Sequence, residues 1–74
     1  MGNALTEEQF EQLLRETRAF LADAPAITNA ILRKRAGIVY DQATRFFNEA
    51  MARGLLERRG TASSIRYVLP GAPD

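Results

Sequence analysis

Between Thr28 and Leu69 the apolar pattern changes its period, and that change restricts the folds open to the chain. Thr28 has the hydroxyl of an N-cap. The residues behind it read as a short helix closed by Arg33, Lys34 and Arg35, three cations suited to the negative end of a helix dipole. Ala30, Ile31 and Leu32 are its expected inward positions. Ala36-Gly37-Ile38 follows as a tight turn, in which Gly37 takes the left-handed conformation and Ile38 plugs the core between two helices. The second helix starts near Val39 or Tyr40. Ala43, Phe46, Phe47, Ala50 and Met51 form its buried stripe, leaving Tyr40, Asp41, Gln42, Thr44, Arg45, Asn48 and Glu49 outside. Gly54 ends it. From there the pattern becomes that of strands: Leu55–Arg58 is a short one and Ile65–Leu69 a clear one, joined by the polar loop Arg59–Ser64 and stopped by Pro70-Gly71.

One more helix precedes this unit. Thr6 and Gln9 stand at capping-box spacing, with Glu7 and Glu8 in the first turn. Phe10, Leu13, Leu14, Thr17, Phe20 and Leu21 then recur at three- and four-residue steps, the mark of a helix with one buried face. Asp23-Ala24-Pro25 stops it, since the residue before Pro is pushed out of the helical region. Ala26 and Ile27 read as extended, a very short strand. The expected architecture is mostly α with a small β-hairpin: a winged helix-turn-helix of three helices plus a two- or three-stranded wing. It spans residues 6–70, with residues 1–5 and 71–74 expected to be flexible.

Composition removes several function classes. With 74 residues the chain makes one small domain, of a size that buries only about 60% of its unfolded surface. It has no Cys and no His, which removes disulfides, thiolate metal sites, the commonest general base and the commonest zinc ligand. No metal, cofactor, small-molecule substrate or catalytic residue is expected, and no nucleophile–base pair stands at a meaningful spacing. No apolar run reaches the roughly 20 residues of a membrane helix, and Glu7 and Glu8 stand where a signal peptide is basic. The expected setting is cytoplasmic, on the nucleoid when bound to DNA.

The net charge of +1 conceals a division. Residues 1–32 hold two cations against five carboxylates, and residues 33–74 hold eight against four. Such asymmetry points to a polyanionic partner. In a helix-turn-helix the second helix enters the major groove by its N-terminal end. Here that end exposes Tyr40, Asp41, Gln42, Thr44 and Arg45, which are the candidate base readers. Gln pairs with adenine, Arg with guanine, Thr with a thymine methyl and Asp with a cytosine amino group. Thr28, Arg33, Lys34 and Arg35 on the preceding helix are candidate phosphate contacts. Arg58, Arg59, Ser63, Ser64 and Arg66 are the candidates on the wing. Phosphate contacts of this kind set position and do not read sequence. A charged helix end is also ordinary solvated surface, and Arg58-Arg59 at a sheet edge also guards against aggregation.

These residues resemble a known family. Leu32–Leu56, LRKRAGIVYDQATRFFNEAMARGLL, is similar without a gap to the γ domain of FtsK-type DNA translocases, a winged helix that reads short oriented sequence signals. Ile38, Tyr40, Ala43, Arg45 and Gly54 fall on the family's positions, and Ser64–Pro70 is similar to the close of its wing. Asp41-Gln42 stands where that family has Asn-Arg, so the resemblance implies DNA binding but not the same signal. No phosphate-binding loop of a motor occurs in the chain.

The leading expectation is sequence-specific binding of double-stranded DNA by a transcriptional regulator or a mobile-element or chromosome accessory factor. One module buries only about 600–1,000 Å² on DNA, so a homodimer or several copies on adjacent sites are expected. The alternative is a winged-helix protein–protein interaction module, its acidic first helix facing a basic partner.

Overall fold

The structure, a computed structural model, describes residues 5–73. The expected flexibility of residues 1–4 and 74 lies outside the described residues. The chain runs α1 (Glu7–Leu21), α2 (Asn29–Ala36), α3 (Tyr40–Ala52), β1 (Glu57–Arg59), a short 3-10 turn (Ala62–Ser64) and β2 (Arg66–Val68). The layout is that of a winged helix-turn-helix: three helices and a two-stranded antiparallel hairpin. No described helix is long and apolar enough to cross a membrane.

Local chemistry sets each boundary. The Thr6 hydroxyl accepts from the Gln9 backbone N–H and the Gln9 side chain accepts from the Thr6 N–H, both at 3.0 Å. A cap of this kind is worth about 1 kcal/mol. Thr28 caps α2, accepting from the Ile31 N–H at 3.2 Å. Gly37 closes α2 in the left-handed region at φ 68°, its N–H donating to the Arg33 carbonyl. Only three residues separate α2 from α3. At the far end of α3 the Gly54 N–H donates to Met51 and the Leu55 N–H to Ala50, a paired closure that satisfies two carbonyls the helix leaves open.

That closure shortens the first strand. Leu55 was expected in it, but its N–H is spent on Ala50, and β1 begins at Glu57. Likewise β2 covers Arg66–Val68 rather than Ile65–Leu69. The register pairs Glu57 with Val68, Arg58 with Tyr67 and Arg59 with Arg66. The extended stretch before α2 adds one bridge on the opposite edge of β2. Ile27 and Tyr67 exchange N–H···O bonds of 2.9 and 2.8 Å, so β2 lies between Ile27 and β1.

The core joins all three helices to the wing. Phe10, Leu13, Leu21, Ile27, Leu32, Ala43, Phe46, Phe47, Ala50 and Leu56 form one buried cluster. Phe46 packs between Phe10 and Phe47, with ring centroids 5.2 and 5.3 Å away. Phe47 stacks on Tyr67 at 3.9 Å, which fixes the hairpin against α3. Burial there raises the Tyr67 hydroxyl pKa, against the opposing field of Arg58. The structure corrects two inward assignments. Ala30 is exposed, because it and Leu32 stand about 200° apart around a helix and cannot share a face. Met51 is half-buried, at the edge of the stripe. The ends are tied where they are described: Leu5 packs half-buried on the core, and the Ala72 carbonyl accepts from Arg59 Nη2 at 2.9 Å.

Candidate nucleic-acid interface

The outward face of α3 is a row at three- and four-residue steps: Asp41, Arg45, Asn48 and Ala52, all exposed. Tyr40 and Thr44 flank this row towards α2. Gln42 and Glu49 flank it on the other side. The α3 N-cap is Val39, whose side chain has no acceptor. Gln42 supplies the return half of a capping box instead, its Oε1 accepting from the Val39 N–H at 3.1 Å. Of the expected base readers, Tyr40, Asp41 and Arg45 are exposed, whereas Gln42 and Thr44 are half-buried and each holds an internal hydrogen bond.

The expected phosphate contacts separate into committed and uncommitted cations. Arg33 is half-buried, with Nε donating to Asn29 Oδ1 at 2.7 Å and its guanidinium 5.6 Å from the centre of the Tyr40 ring. No carboxylate pairs with it among the described residues. Lys34 is exposed beside it and equally without a carboxylate. Arg35 points elsewhere, pairing with Glu16 of α1 at 3.3 Å and lying over the Phe20 ring. Thr28 spends its hydroxyl as the α2 cap. On the wing, Arg58 is exposed and Arg66 half-buried, and neither has an ion-pair partner among the described residues. Arg59 is bound into the fold through Glu57 Oε1 and the Ala72 carbonyl, each at 2.9 Å. Ser63 and Ser64 are exposed in the 3-10 turn at the tip, where the Ser64 hydroxyl also donates to Thr61. Gly60 is required there: its φ is 84°, and a Cβ would overlap the Ser64 carbonyl and press on Arg66 Nη1.

Two residues of this surface escaped the sequence reading of the site. Asn48 was recognised as exposed but not as a reader, although it continues the Asp41–Arg45 row by one turn. Helical spacing alone carried that signal. Asn29 has no part in that reading. Its Nδ2 donates to Thr44 Oγ1 at 3.2 Å and, at a longer 3.4 Å, to the Tyr40 carbonyl, while its Oδ1 accepts from Arg33. Asn29, Arg33, Tyr40 and Thr44 thus form one polar seam between α2 and the start of α3. Asn29 with Arg33 and Tyr40 with Thr44 have the i,i+4 spacing of helix neighbours, but no sequence signal joins the two pairs across the turn.

No family model, no curated protein and no solved structure matches this chain.

Chemically, the surface offers one uncommitted guanidinium and one carboxamide on the outward row of α3. Beside them lie a held guanidinium at Arg33 and the exposed ammonium of Lys34. Each is a hydrogen-bond donor suited to phosphate oxygens or purine acceptors. Asp41 is the only carboxylate on the outward row. It favours the helix dipole, and it repels phosphate unless it meets a base amino group.

Proposed function

We propose that the chain binds double-stranded DNA in a sequence-specific manner, α3 lying in the major groove and the hairpin resting on the flanking backbone. The observation that carries this reading is the placement of Arg45 and Asn48 on the outward row of α3, next to an Arg33 that has no carboxylate partner among the described residues. In this reading Arg45 forks onto guanine O6 and N7, Asn48 pairs with adenine N6 and N7, and Asp41 accepts from cytosine N4. Arg33 and Lys34 contact phosphates, and Arg58 and Arg66 do so from the wing. The biological role proposed is a transcriptional regulator or an accessory factor of a mobile element or chromosome, acting in the cytoplasm on nucleoid DNA. The likeness of Leu32–Leu56 to the FtsK γ domain supports the same use of the fold. The different residues at Asp41 and Gln42 support a different target.

Two copies on a repeated or palindromic site are the proposed binding unit, because a single module makes few contacts. A protein partner on the acidic helix is the weaker reading, since Glu7 and Glu16 are already paired with Arg53 and Arg35. Selection from random duplexes, then titration of the winner at rising salt and sizing of the complex, tests the proposal. The expected result is an enriched motif, binding that weakens linearly in log–log with salt, and two chains per site. No enrichment together with no salt-dependent binding would end it.

A further inference from the structure

Asn29 sits at the first position of α2, yet it touches Arg33, a proposed phosphate contact, and two of the expected base readers, Tyr40 and Thr44. Its Oδ1 accepts from Arg33 Nε at 2.7 Å, its Nδ2 donates to Thr44 Oγ1 at 3.2 Å, and the Tyr40 carbonyl lies 3.4 Å from the same nitrogen. Tyr40 in turn lies under the Arg33 guanidinium. The chemistry of a carboxamide explains why Asn suits the position. One end accepts and the other donates, so a single planar group can hold a cation and a hydroxyl at once. A phosphate fork made end-on uses the two terminal guanidinium nitrogens and leaves Nε over. Held through Nε, Arg33 keeps both terminal nitrogens for an anion while losing the rotamer freedom that a solvated Arg must give up on binding. The bond from Nδ2 similarly restrains the Thr44 side chain on the flank of the reading helix.

We propose that Asn29 is a positioning residue for duplex DNA recognition, which couples the Arg33 phosphate contact to the Thr44 base contact so that the two are placed as one rigid unit. This rests on the DNA reading given above. It assigns the α2–α3 seam a role that neither helix carries alone: phosphate contacts fix register, and the seam transmits that register to the base-reading side chains. Its consequence is that part of the sequence preference at the base facing Thr44 is set from α2, by a residue that need not touch DNA.

Asn29→Asp keeps both side-chain contacts of the seam: its carboxylate accepts from Arg33 Nε, and the Thr44 hydroxyl, which can donate as well as accept, turns its proton towards it. Its negative charge pairs with Arg33, so it weakens binding to every duplex alike, lowers the salt slope, and cancels in the ratio of affinities for the selected duplex and a scrambled one. Asn29→Ala removes both contacts. Thr44→Val keeps a methyl for a thymine and loses only the oxygen that Asn29 holds. The experiment measures that ratio, and the salt slope, for the wild type, Asn29→Asp, Asn29→Ala, Thr44→Val and the double variant Asn29→Ala/Thr44→Val. All are held below their melting transitions as checked by circular dichroism.

Asn29→Ala and Thr44→Val are each expected to lower the ratio a few-fold, in the range of one coupled contact. Their double variant should be no worse than Asn29→Ala alone, because both cut the same coupling. Asn29→Asp should keep the ratio close to the wild-type value with a reduced salt slope. Four results overturn the inference while DNA binding stands: a wild-type ratio in Asn29→Ala, no effect of Thr44→Val, losses that multiply in the double variant, or a ratio in Asn29→Asp as low as in Asn29→Ala. A wild type that selects no duplex overturns the DNA reading and this inference together.

Discussion

Arg45 stands on α3 and Arg53 is the C-cap of the same helix, about 12 Å further along its axis at 1.5 Å per residue, and the two are partnered differently. Arg53 is exposed, but its guanidinium is paired within its own chain. Nη1 and Nη2 fork onto the Glu7 carboxylate at 2.9 and 2.8 Å, Nε donates to Glu49 at 2.8 Å, and the guanidinium lies 4.0 Å above the Phe10 ring. It therefore joins the start of α1 to the end of α3. Arg45 has no ion-pair partner among the described residues and is exposed on the outward row. One arginine is part of the frame, and the other is available to a ligand. The same division separates Arg35 and Arg59, which are tied into the fold, from Lys34, Arg58 and Arg66, which have no ion-pair partner among the described residues. A net charge or a count of basic residues cannot distinguish these groups. The positions of Glu7, Glu16, Glu49 and Glu57 do.

The contrast can be broken by variants, taken here from the largest expected effect. Phe47→Ala removes a fully buried ring that joins α3 to the wing through Tyr67, so it should cost about 3–5 kcal/mol. In a domain this small, that loss should leave much of the chain unfolded at 37 °C by circular dichroism. A loss below 1 kcal/mol would mean the hairpin is not anchored by that stack. Arg45→Ala should leave the melting temperature almost unchanged while reducing discrimination between the selected and scrambled duplexes by about 1–3 kcal/mol. Arg53→Ala should do the reverse, melting earlier with discrimination retained. Equal effects from both arginines would erase the distinction.

Thr17→Val is smaller and opposite in sign. The Thr17 hydroxyl is buried in the core with no hydrogen-bond partner among the described residues, so an isosteric methyl should stabilise the fold by about 1 kcal/mol in urea unfolding. A destabilised Val variant would show that the hydroxyl is satisfied in solution. The smallest effect is a pH dependence. Hydrogen bonds from Arg53 hold the Glu7 carboxyl below its ordinary value. Its contribution is therefore fully present above that ordinary value and fades as pH falls through the lower folded value. Glu7→Gln should flatten this part of the acid limb of stability against pH, and an unaltered limb would show that the clasp carries little.

Much of the frame was legible in the chain because local rules and burial agree there. Thr6 with Gln9, Thr28 as a cap, and Gly37 and Gly54 as helix ends all appear as read, and so does the Phe46–Phe47 stripe. The strand limits were less legible, because Leu55 has the side chain of a strand and the backbone duty of a helix end. The 3-10 turn at Ala62–Ser64 was read only as loop; three polar or small residues give no periodic signal at that length. The candidate site was legible as a set of residue types but not as an arrangement. Asn29 gains its place through Thr44, fifteen positions away, and Arg53 through Glu7, forty-six away. Such pairings are decided by packing, not by spacing.

The central claim is that the start and outward face of α3, with the seam behind them, form the ligand-facing surface. Mapping backbone amide shifts on titration with the selected duplex tests it most directly. Shifts are expected to concentrate on residues 28–34, 39–48 and 58–66, with Glu8, Glu11 and Arg15 of α1 unchanged. Shifts confined to α1, or none at saturating duplex, would contradict it.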